Sequence, residues 1–485
     1  MPVIPRIVNM SLDYATFPTH FKNALVSPLI KKPSLDADNL KNFRPVSNLS
    51  FISKIVEKVV AHRLAEHLST NNLYEQHQSA YRKYHGTETA LLKVQNDILR
   101  ELDGKRGVFL ILLDLSAAFD TIDHDILFKR LESIGVKGSA LKWFQSYLSC
   151  RSQAVNINGT VSSHVTLHYG VPQGSVLGPI LFTIYSSPIA NIARKYGLYV
   201  HAYADDTQLY IPFDLNDPND EMSARQRAEA CIIEIKSWMT VNKLKLNDEK
   251  TEFLIMTSKF HQHKIHNHQI KVDTASIPAS ESARNLGIIF DNNLCMEDQI
   301  RRICQSVYYH IRNINSIRKI LSHETAATII HALITSRIDN GNSLLTGVTD
   351  HSLHKLQLAQ NAAARILTKT RKFDHITPIL KDLHWLPVRE RIHFKLLLLT
   401  WKALNGLAPS YISNLLVPYK PIRALRSSDK HLLAVPRTSS TLGDRAFSVA
   451  APTLWNSLPL DIRCCDSLQS FKTLLKTHLY NKVYN

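Results

Sequence analysis

Two adjacent carboxylates, Asp205 and Asp206, stand between two short apolar runs in the segment 198–212. Apolar and aromatic residues flank the pair and Pro212 closes the segment, which predicts a β-hairpin with both aspartates at its tip. Charged side chains are rarely buried unless they are paired or bind a metal. The framing therefore suggests a cation site, although aspartate also favours turns, and a solvated turn explains the isolated pair equally well.

A third carboxylate, Asp114, favours the cation site. It interrupts an otherwise apolar run over residues 107–115, which predicts a strand buried on both faces. An aspartate at the end of such a strand needs a partner, and a divalent metal shared with Asp205 supplies one. Magnesium takes few protein carboxylates and completes its shell with water and phosphate oxygens. Three carboxylates on two adjacent strands therefore suit phosphoryl transfer between two metal ions.

Seven segments of the chain resemble the sequence blocks of reverse transcriptases, in the family's order. The A, B and C motifs are matched by DLSAAFD at 114–120, GVPQGSVLGP at 170–179 and YADD at 203–206. The flanking blocks are similar to NFRPVS at 42–47, QSAYRK at 78–83, LKLNDEKT at 244–251 and NLGI at 285–288. The residues of these blocks are most similar to those in polymerases of metazoan non-LTR retrotransposons of the chicken-repeat and Jockey type. The match runs from about residue 9 to 290 and continues more loosely to the C-terminus.

The resemblance implies an α+β fold of the right-hand polymerase type, with fingers, a palm containing an antiparallel sheet, and a helical thumb. We expect residues 1–34 to lead into the fingers, residues 20–290 to form fingers and palm, and residues 291–410 to form the thumb. Residues 411–485 would be a basic, mostly helical extension. In the family an endonuclease domain precedes the first block, and we expect this chain to lack it. A separate endonuclease is therefore an expected partner for integration.

The implied activity is RNA-directed DNA polymerisation, in which a primer 3′-hydroxyl attacks the α-phosphate of a dNTP and pyrophosphate leaves. By resemblance, Asp114 and Asp205 hold two Mg²⁺ ions, with Mn²⁺ as the alternative, and Asp206 supports or completes the site. The implied partners are an RNA template, a DNA primer or duplex, and dNTPs. Catalysis would then consist mainly of positioning and charge neutralisation at the phosphorus.

Four further residues have implied roles in substrate binding. Phe119 would be a steric gate that fills the space of a ribose 2′-hydroxyl and so selects deoxynucleotides; the alternative is a core aromatic side chain. Gly174 would permit close approach of the backbone to template or nucleotide. Gln173 can donate to and accept from the sugar or the templating base. Arg82 can fork onto triphosphate oxygens, with a solvated basic face as the alternative.

Three other polar features are interpreted differently. Lys250 could protonate the leaving pyrophosphate as a general acid, or it could pair with its neighbours Asp248 and Glu249. Asp120 is expected to be structural, capping a helix or ordering the end of the strand. The histidine-rich run at 261–268 has no spacing typical of a metal site, so a solvated loop is the favoured interpretation.

Two other functions stay open at this point. One is a non-enzymatic relic that binds nucleic acid through phosphates, which the intact set of three carboxylates argues against. The other is an RNA-directed RNA polymerase, which the aromatic side chain of Phe119 disfavours.

The charge distribution also favours a nucleic-acid partner. The chain has 485 residues, a net charge of +17 and 20% charged side chains, a composition typical of a globular protein. Residues 301–485 carry 26 basic and 10 acidic side chains, whereas residues 1–300 carry 32 and 31. The basic C-terminal part is therefore expected to hold a phosphate backbone.

Hydrophobic periodicity predicts the elements that position these residues. Helices are expected at 50–68, 87–102 with Thr87 as N-cap, 123–134 with Asp123 as N-cap, 139–148, 175–196, 222–242, 296–320, 323–338, 351–368 and 387–405. Strands are expected at 21–33 and 252–258, with a hairpin over 153–169 around Asn158-Gly159. The polar stretch 420–450 is expected to be a linker or a loose arm.

The sequence contains no evident signal peptide and no apolar stretch of 18 residues, so no membrane span is expected. The six cysteines are scattered, which is typical of reduced thiols inside a cell. We therefore expect an intracellular protein, acting in the nucleus, the cytoplasm or both.

Overall fold

A computed structural model describes residues 3–116, 119–247, 250–272, 275–420 and 430–485. The chain forms two compact units, each assembled from separated stretches of sequence. The first unit comprises Met1–Tyr81, Leu113–Leu209 and Arg227–Thr251, and the second comprises Arg82–Leu112, Tyr210–Gln226 and Glu252–Asn485. The linear division into 1–34, 20–290, 291–410 and 411–485 stays a prediction.

The helices, in chain order, are α1 Val3–Asp13, α2 Phe51–Thr70, α3 Thr87–Asp103, α4 His124–Ser133, α5 Gly138–Leu148, α6 Gly178–Ser186, α7 Pro188–Lys195, α8 Pro218–Val241, α9 Glu297–Ile317, α10 His323–Ile330, α11 Ser336–Asp339, α12 Asp350–Thr368, α13 Ile376–Asp382, α14 Val388–Leu404, α15 Ser410–Ser413, α16 Phe447–Asn456, α17 Leu460–Arg463 and α18 Leu468–Tyr484. In the part of the chain that the structure describes, no helix is both long enough and apolar enough to cross a membrane.

The strands are β1 Asn23–Ile30, β2 Phe43–Asn48, β3 Arg106–Leu113, β4 Leu115–Ser116, β5 Arg151–Ile157, β6 Thr160–Val161, β7 Val165–Leu167, β8 Tyr199–Tyr203, β9 Asp206–Asp214, β10 Lys245–Leu246, β11 Glu252–Met256, β12 Gln269–Val272, β13 Ala275–Pro278, β14 Ser282–Asn285 and β15 Ile288–Asp291.

The strand and hairpin predicted around the three aspartates are confirmed. Strand β3 is buried over most of its length because both of its faces are apolar,, and it lies inside a four-stranded sheet of order β11-β3-β9-β8. Strands β8 and β9 are joined by a two-residue turn at 204–205. Asp205 therefore lies in the turn and Asp206 is the first residue of β9, while Asp114 directly follows β3.

Strands β4 and β10 form a short antiparallel pair, and β4 directly follows β3 and Asp114 in the chain. Leu115 lies opposite Leu246, so the residues that follow Asp114 run beside the residues that precede Lys250. This pairing explains how two family blocks more than a hundred residues apart reach the same place in the first unit.

Another sheet, which lies in the first unit, has the order β2-β1-β5-β6, with β7 also paired to β5. Strand β1 is antiparallel to β2 and parallel to β5. Ser50 caps α2 by accepting a hydrogen bond from the Ser53 backbone, as favoured for serine at this position. The predicted hairpin around Asn158-Gly159 is confirmed, since Ile157 pairs with Thr160.

One apolar core unites the second unit. It includes Ile98 of α3, Leu110 of β3, Leu254 of β11, Ile303 of α9 and Leu396 of α14. The helices that follow residue 291 therefore share their core with a helix and strands from much earlier in the chain. Within this unit they are not a separately packed body.

Two predicted helix boundaries are wrong. The stretch 175–196 forms two helices, α6 and α7, because Pro188 starts a new helix and lacks the N–H that a continuous helix needs,. The N-cap of α3 is Gly86 rather than Thr87, and the Gly86 N–H donates to the Thr89 side chain at 3.0 Å. Asp123 does cap α4 as predicted, accepting from Asp125 and Ile126 backbone groups.

The prediction of a loose arm at 420–450 is wrong for its C-terminal part, while residues 421–429 lie outside the described residues. The backbone N–H groups of Ser439 and Ser440 donate to the buried Asp103 carboxylate at 2.9 and 2.8 Å. Helix α16 then begins at Phe447 with mostly buried residues. Polar residues are ordered here because a distant carboxylate accepts their hydrogen bonds, which a single-sequence pattern does not reveal.

Candidate active site

Asp114 is held by the segment that contains Lys250. Its Oδ2 accepts from Lys250 Nζ at 2.9 Å and from Asn247 Nδ2 at 3.2 Å. Its backbone carbonyl accepts from the Asn247 N–H at 2.9 Å. Lys250 thus pairs with Asp114, while Asp248 and Glu249 lie outside the described residues. The lysine side chain remains 67% exposed, so it can leave this ion pair without unpacking a core.

The turn that carries Asp205 is fixed by a buried amide. Gln78, only 4% exposed, accepts from the backbone N–H of Ala204 and of Ala80 at 3.0 Å each. It also donates from Nε2 to the Ala204 carbonyl at 3.4 Å. Ala204 has a φ of 58°, a left-handed conformation that costs a non-glycine residue free energy. Gln78 therefore stabilises the backbone immediately before Asp205.

Backbone pairing extends this support along β8. The Ser79 N–H donates to the Ala202 carbonyl at 2.9 Å, and the Ala202 N–H donates to the His77 carbonyl at 2.8 Å. The hydroxyl of Ser79 lies 2.8 Å from Nε2 of the buried His201. The segment 77–80 is therefore hydrogen-bonded alongside β8, the strand that leads into the turn at 204–205.

The charge of Asp114 acts on both Asp205 and Asp206. Burial, and then the charge of Asp114, raises the pKa of Asp205, while Arg44 and Lys250 oppose this rise. Burial, followed by the charges of Asp205 and Asp114, raises the pKa of Asp206 to about 6. Nearby cations therefore offset the repulsion of Asp205 and Asp206 by Asp114 only in part.

The three aspartates suit a divalent cation in their chemistry, because ionised carboxylates offer only acceptor oxygens and the repulsion between them falls when a cation lies between them. Among the residues that the structure describes, no three histidine, cysteine or acidic side chains are already grouped as a metal site. The roles of the three aspartates in catalysis and metal binding stay predictions.

Phe119 packs against the loop that contains the B motif. Its carbonyl accepts from the Val171 N–H at 2.9 Å, and its ring centroid lies 5.3 Å from that of Phe182. Gly170 has a φ of +83°, and a Cβ there would lie 2.8 Å from the backbone oxygen of Asp120. The gate and the core aromatic interpretations both agree with this half-buried position.

Gln173 and Gly174 lie against strand β2. The Ser47 N–H donates to the Gln173 carbonyl at 2.7 Å. Gly174 has a φ of +118°, and a Cβ there would lie 2.7 Å from the Ser47 backbone oxygen. The observed close approach is thus to this chain's own backbone, and approach to template or nucleotide stays a prediction.

Arg82 is the first residue of the second unit. Its carbonyl accepts from the His85 N–H at 3.3 Å, and its contact with a triphosphate stays a prediction.

The suggestion that Asp120 caps a helix is wrong, because Asp123 occupies that position in α4. In the histidine-rich run, His266 lies 3.3 Å from Glu221.

Sequence reasoning missed three residues of the site: Gln78, Asn247 and Arg44. Each lies in a segment that resembles a family block, which was the available signal. Gln78 contacts Ala204, Asn247 contacts Asp114, and the charge of Arg44 acts on Asp205. Each of these interactions joins residues that are far apart in the sequence, so nothing in the local pattern distinguished the three residues from their neighbours.

The chain is similar to polymerases of mobile elements. It is 24% identical over 397 residues to the probable RNA-directed DNA polymerase from transposon BS of Drosophila melanogaster, covering 80% of this chain and 42% of that protein. It is 23% identical over 386 residues to the RNA-directed DNA polymerase from mobile element jockey of the same species, covering 78% and 41%. The chain thus spans less than half the length of these relatives.

Among solved structures, the chain is similar to apo telomerase from Candida tropicalis, with 12% identity, coverage of 77% of this chain and 63% of that chain, and a TM-score of 0.41.

The reverse transcriptase (RNA-dependent DNA polymerase) family model matches residues 30–290, more than half of the chain. The match contains all three aspartates and confirms the α+β polymerase fold class and the resemblance found in the sequence. Polymerases of this kind work with divalent metal ions. The chain belongs to the reverse transcriptase (RNA-dependent DNA polymerase) family.

Proposed function

We propose that this chain is an RNA-directed DNA polymerase of a non-LTR retrotransposon, adding dNTPs to a primer 3′-hydroxyl on an RNA template. The observation that carries the proposal is the placement of Asp114 directly after β3 and of Asp205 and Asp206 at the turn between β8 and β9 of the same sheet, inside the segment that matches the family. The charge of Asp114 acts on both Asp205 and Asp206, and such repulsion between carboxylates falls when a cation is bound.

In this proposal Asp114 and Asp205 ligate the metal and Asp206 supports or completes the site. Two Mg²⁺ ions, with Mn²⁺ as the alternative, would activate the primer hydroxyl and neutralise charge on the phosphate. Lys250, 2.9 Å from Asp114, holds a proton on Nζ that it can donate to the leaving pyrophosphate. Gln78 keeps the Asp205 backbone in place.

The other predicted residues would select and hold the nucleotide. The Phe119 ring excludes a ribose 2′-hydroxyl, and Gln173 hydrogen-bonds the sugar or the templating base. Gly174 lets the loop lie close to its neighbours, and Arg82 binds the triphosphate with its guanidinium fork.

The proposed partners are an RNA template and a DNA primer or duplex. The basic excess of residues 301–485 supports binding to a phosphate backbone. We also propose an intracellular site of action, supported by six cysteines that are all free,.

Primer extension on a defined RNA template, with dNTPs and separately with NTPs, tests the proposal. We expect extension with dNTPs and Mg²⁺, little extension with NTPs, and loss of both on chelation. Template binding without extension would support the relic, and efficient extension with NTPs would support an RNA-directed RNA polymerase. Either outcome would overturn the proposal.

A further inference from the structure

We propose that Glu57, a fully buried carboxylate on α2, positions the loop that carries Gln173 and Gly174 and thereby sets the affinity for the incoming nucleotide. The inference rests on the proposed polymerase function and adds a positioning residue to it. Glu57 lies outside every segment to which the sequence assigned chemistry.

The Glu57 carboxylate is bound on both oxygens, as a buried charge requires. The side chain is 0% exposed. Its Oε2 accepts from the backbone N–H groups of Val176 at 2.7 Å and Leu177 at 3.3 Å. Its Oε1 accepts from the Ser53 hydroxyl at 3.0 Å. Hydrogen bonds to an ionised acceptor are stronger than neutral ones, so Glu57 ties residues 176–177 firmly to α2.

Those two N–H groups directly precede α6, which begins at Gly178. The first N–H groups of a helix have no acceptor within the helix, and the helix dipole favours a negative charge there. The residue at the N-cap, Leu177, provides no side-chain cap, whereas the Ser175 hydroxyl accepts from the Gly178 N–H at 2.9 Å. Glu57 therefore completes the cap of α6 from a different helix.

Within the loop before α6, residues 171–177 are held to other segments through their backbone at three points. The Val171 N–H donates to Phe119, and the Gln173 carbonyl accepts from Ser47; Glu57 holds the third point, at 176–177. Gln173 is itself the second of these points, and Gly174 lies between the second and the third. Releasing the third point would leave Gln173 held at one side only.

An opposite charge lies in the same buried region. Arg151, also buried, donates to the Tyr147 carbonyl at 2.9 Å, and its guanidinium lies 4.9 Å from the Tyr147 ring centroid. Burial, and then the charge of Glu57, raises the pKa of Tyr147, and Arg151 opposes this rise. Buried opposite charges add little net stability, so stability alone does not explain a carboxylate aimed at the loop.

The test is steady-state insertion of one dNTP by the full chain on an RNA template annealed to a DNA primer. Glu57→Met removes the acceptor and should raise the KM for the correct dNTP about tenfold, change kcat less than threefold, and increase misinsertion. Glu57→Gln keeps an acceptor oxygen and loses only the charge, so it should restore most of the affinity, with KM raised about threefold. Glu390→Met is the matched control, since Glu390 is a buried carboxylate on α14 in the second unit.

The control removes a buried carboxylate from another part of the chain and should leave KM unchanged. Equal losses of melting temperature in Glu57→Met and Glu390→Met with an unchanged KM in both would overturn the proposal. If Glu57→Met does not fold, Glu57→Gln decides, and an unchanged KM and misinsertion frequency in that variant would likewise overturn it. Absence of extension by the parent chain would instead overturn the proposed polymerase function, and this assignment with it.

Discussion

At the scale of single residues, the side-chain amide of Gln78 makes the hydrogen bonds that hold Ala204, the residue before Asp205 in the turn between β8 and β9. Gln78→Met keeps the size of the side chain but removes both hydrogen bonds to Ala204. We expect kcat for extension to fall at least tenfold, because Asp205 loses its fixed position while the nucleotide contacts stay. The measurement is single-nucleotide extension at saturating dNTP.

A second buried glutamine provides the control for this prediction. Gln95 is as buried as Gln78 and donates to the Leu344 carbonyl at 3.0 Å in the second unit. Gln95→Met should destabilise the protein by about 1–3 kcal/mol, the usual cost of leaving a buried polar group unpaired, and leave kcat unchanged. Equal kcat losses in the two variants would reduce Gln78 to a general stability residue.

Phe119 also belongs to the residue scale, because its ring is either a gate or packing. Phe119→Val should raise the ratio of NTP to dNTP incorporation at least tenfold, since the ring is proposed to occupy the space of the 2′-hydroxyl. Its neighbour Phe182, 5.3 Å away, provides the comparison. Phe182→Leu should cost about 1 kcal/mol or more of stability without moving the ratio. An unmoved ratio in Phe119→Val would identify a packing residue.

The elements show how far sequence reasoning reaches. Strand β3 and the hairpin around Asp205 were predictable because unbroken apolar runs and a turn signal are local. The break before Pro188 had a local signal in the proline itself, which the hydrophobic periodicity of 175–196 outweighed in the prediction. The order of Ser439 and Ser440 was not predictable, because a distant carboxylate accepts their hydrogen bonds. For the same reason the aspartates could be identified from the sequence, whereas Gln78 and Glu57 could not, since their roles exist only through contacts with Ala204 and α6.

The loop before α6 gives the prediction for this scale. Gly174→Ala places a Cβ 2.7 Å from the Ser47 oxygen at a φ of +118°, so the loop must move. We expect a KM for dNTP at least fivefold higher and a loss of about 1–3 kcal/mol of stability.

Gly159→Ala separates strain from displacement. Gly159 has a φ of +91° with nothing near its Cβ position, so its substitution should cost about 1 kcal/mol and leave KM unchanged. If Gly174→Ala loses stability but keeps the parent KM, Gly174 has no role in nucleotide binding.

At the scale of the whole molecule, the basic C-terminal part cannot be treated as a detachable module. Its helices share a core with Leu110 of β3 and Leu254 of β11. A chain cut at residue 291 would expose that core, and the excised part would lose its packing partners. The expected grip on phosphate is therefore better tested by charge substitutions in the full chain.

Exposed cations on α9 and α12 provide that test. Arg312 and Lys355 line a cavity of about 600 Å³ between these helices. Replacing both with glutamine should lower the slope of log affinity on log salt by about 1.4–1.8, since each neutralised phosphate contributes about 0.7–0.9. Lys137→Gln with Lys142→Gln, on the first unit, is the control. A slope equally reduced by both pairs would mean that the second unit has no special share in binding.

The most direct test of the central claim is single-turnover primer extension by Asp205→Asn, alongside Asp214→Asn at the other end of β9. Asp214 accepts from the Asn216 N–H at 2.8 Å and has no proposed contact with metal. We predict that Asp205→Asn extends at least about a thousandfold more slowly than the parent, in the range seen when essential catalytic groups are removed, while it binds the template–primer duplex within twofold of the parent. Asp214→Asn should match the parent in both. Extension by Asp205→Asn within tenfold of the parent rate would contradict the account.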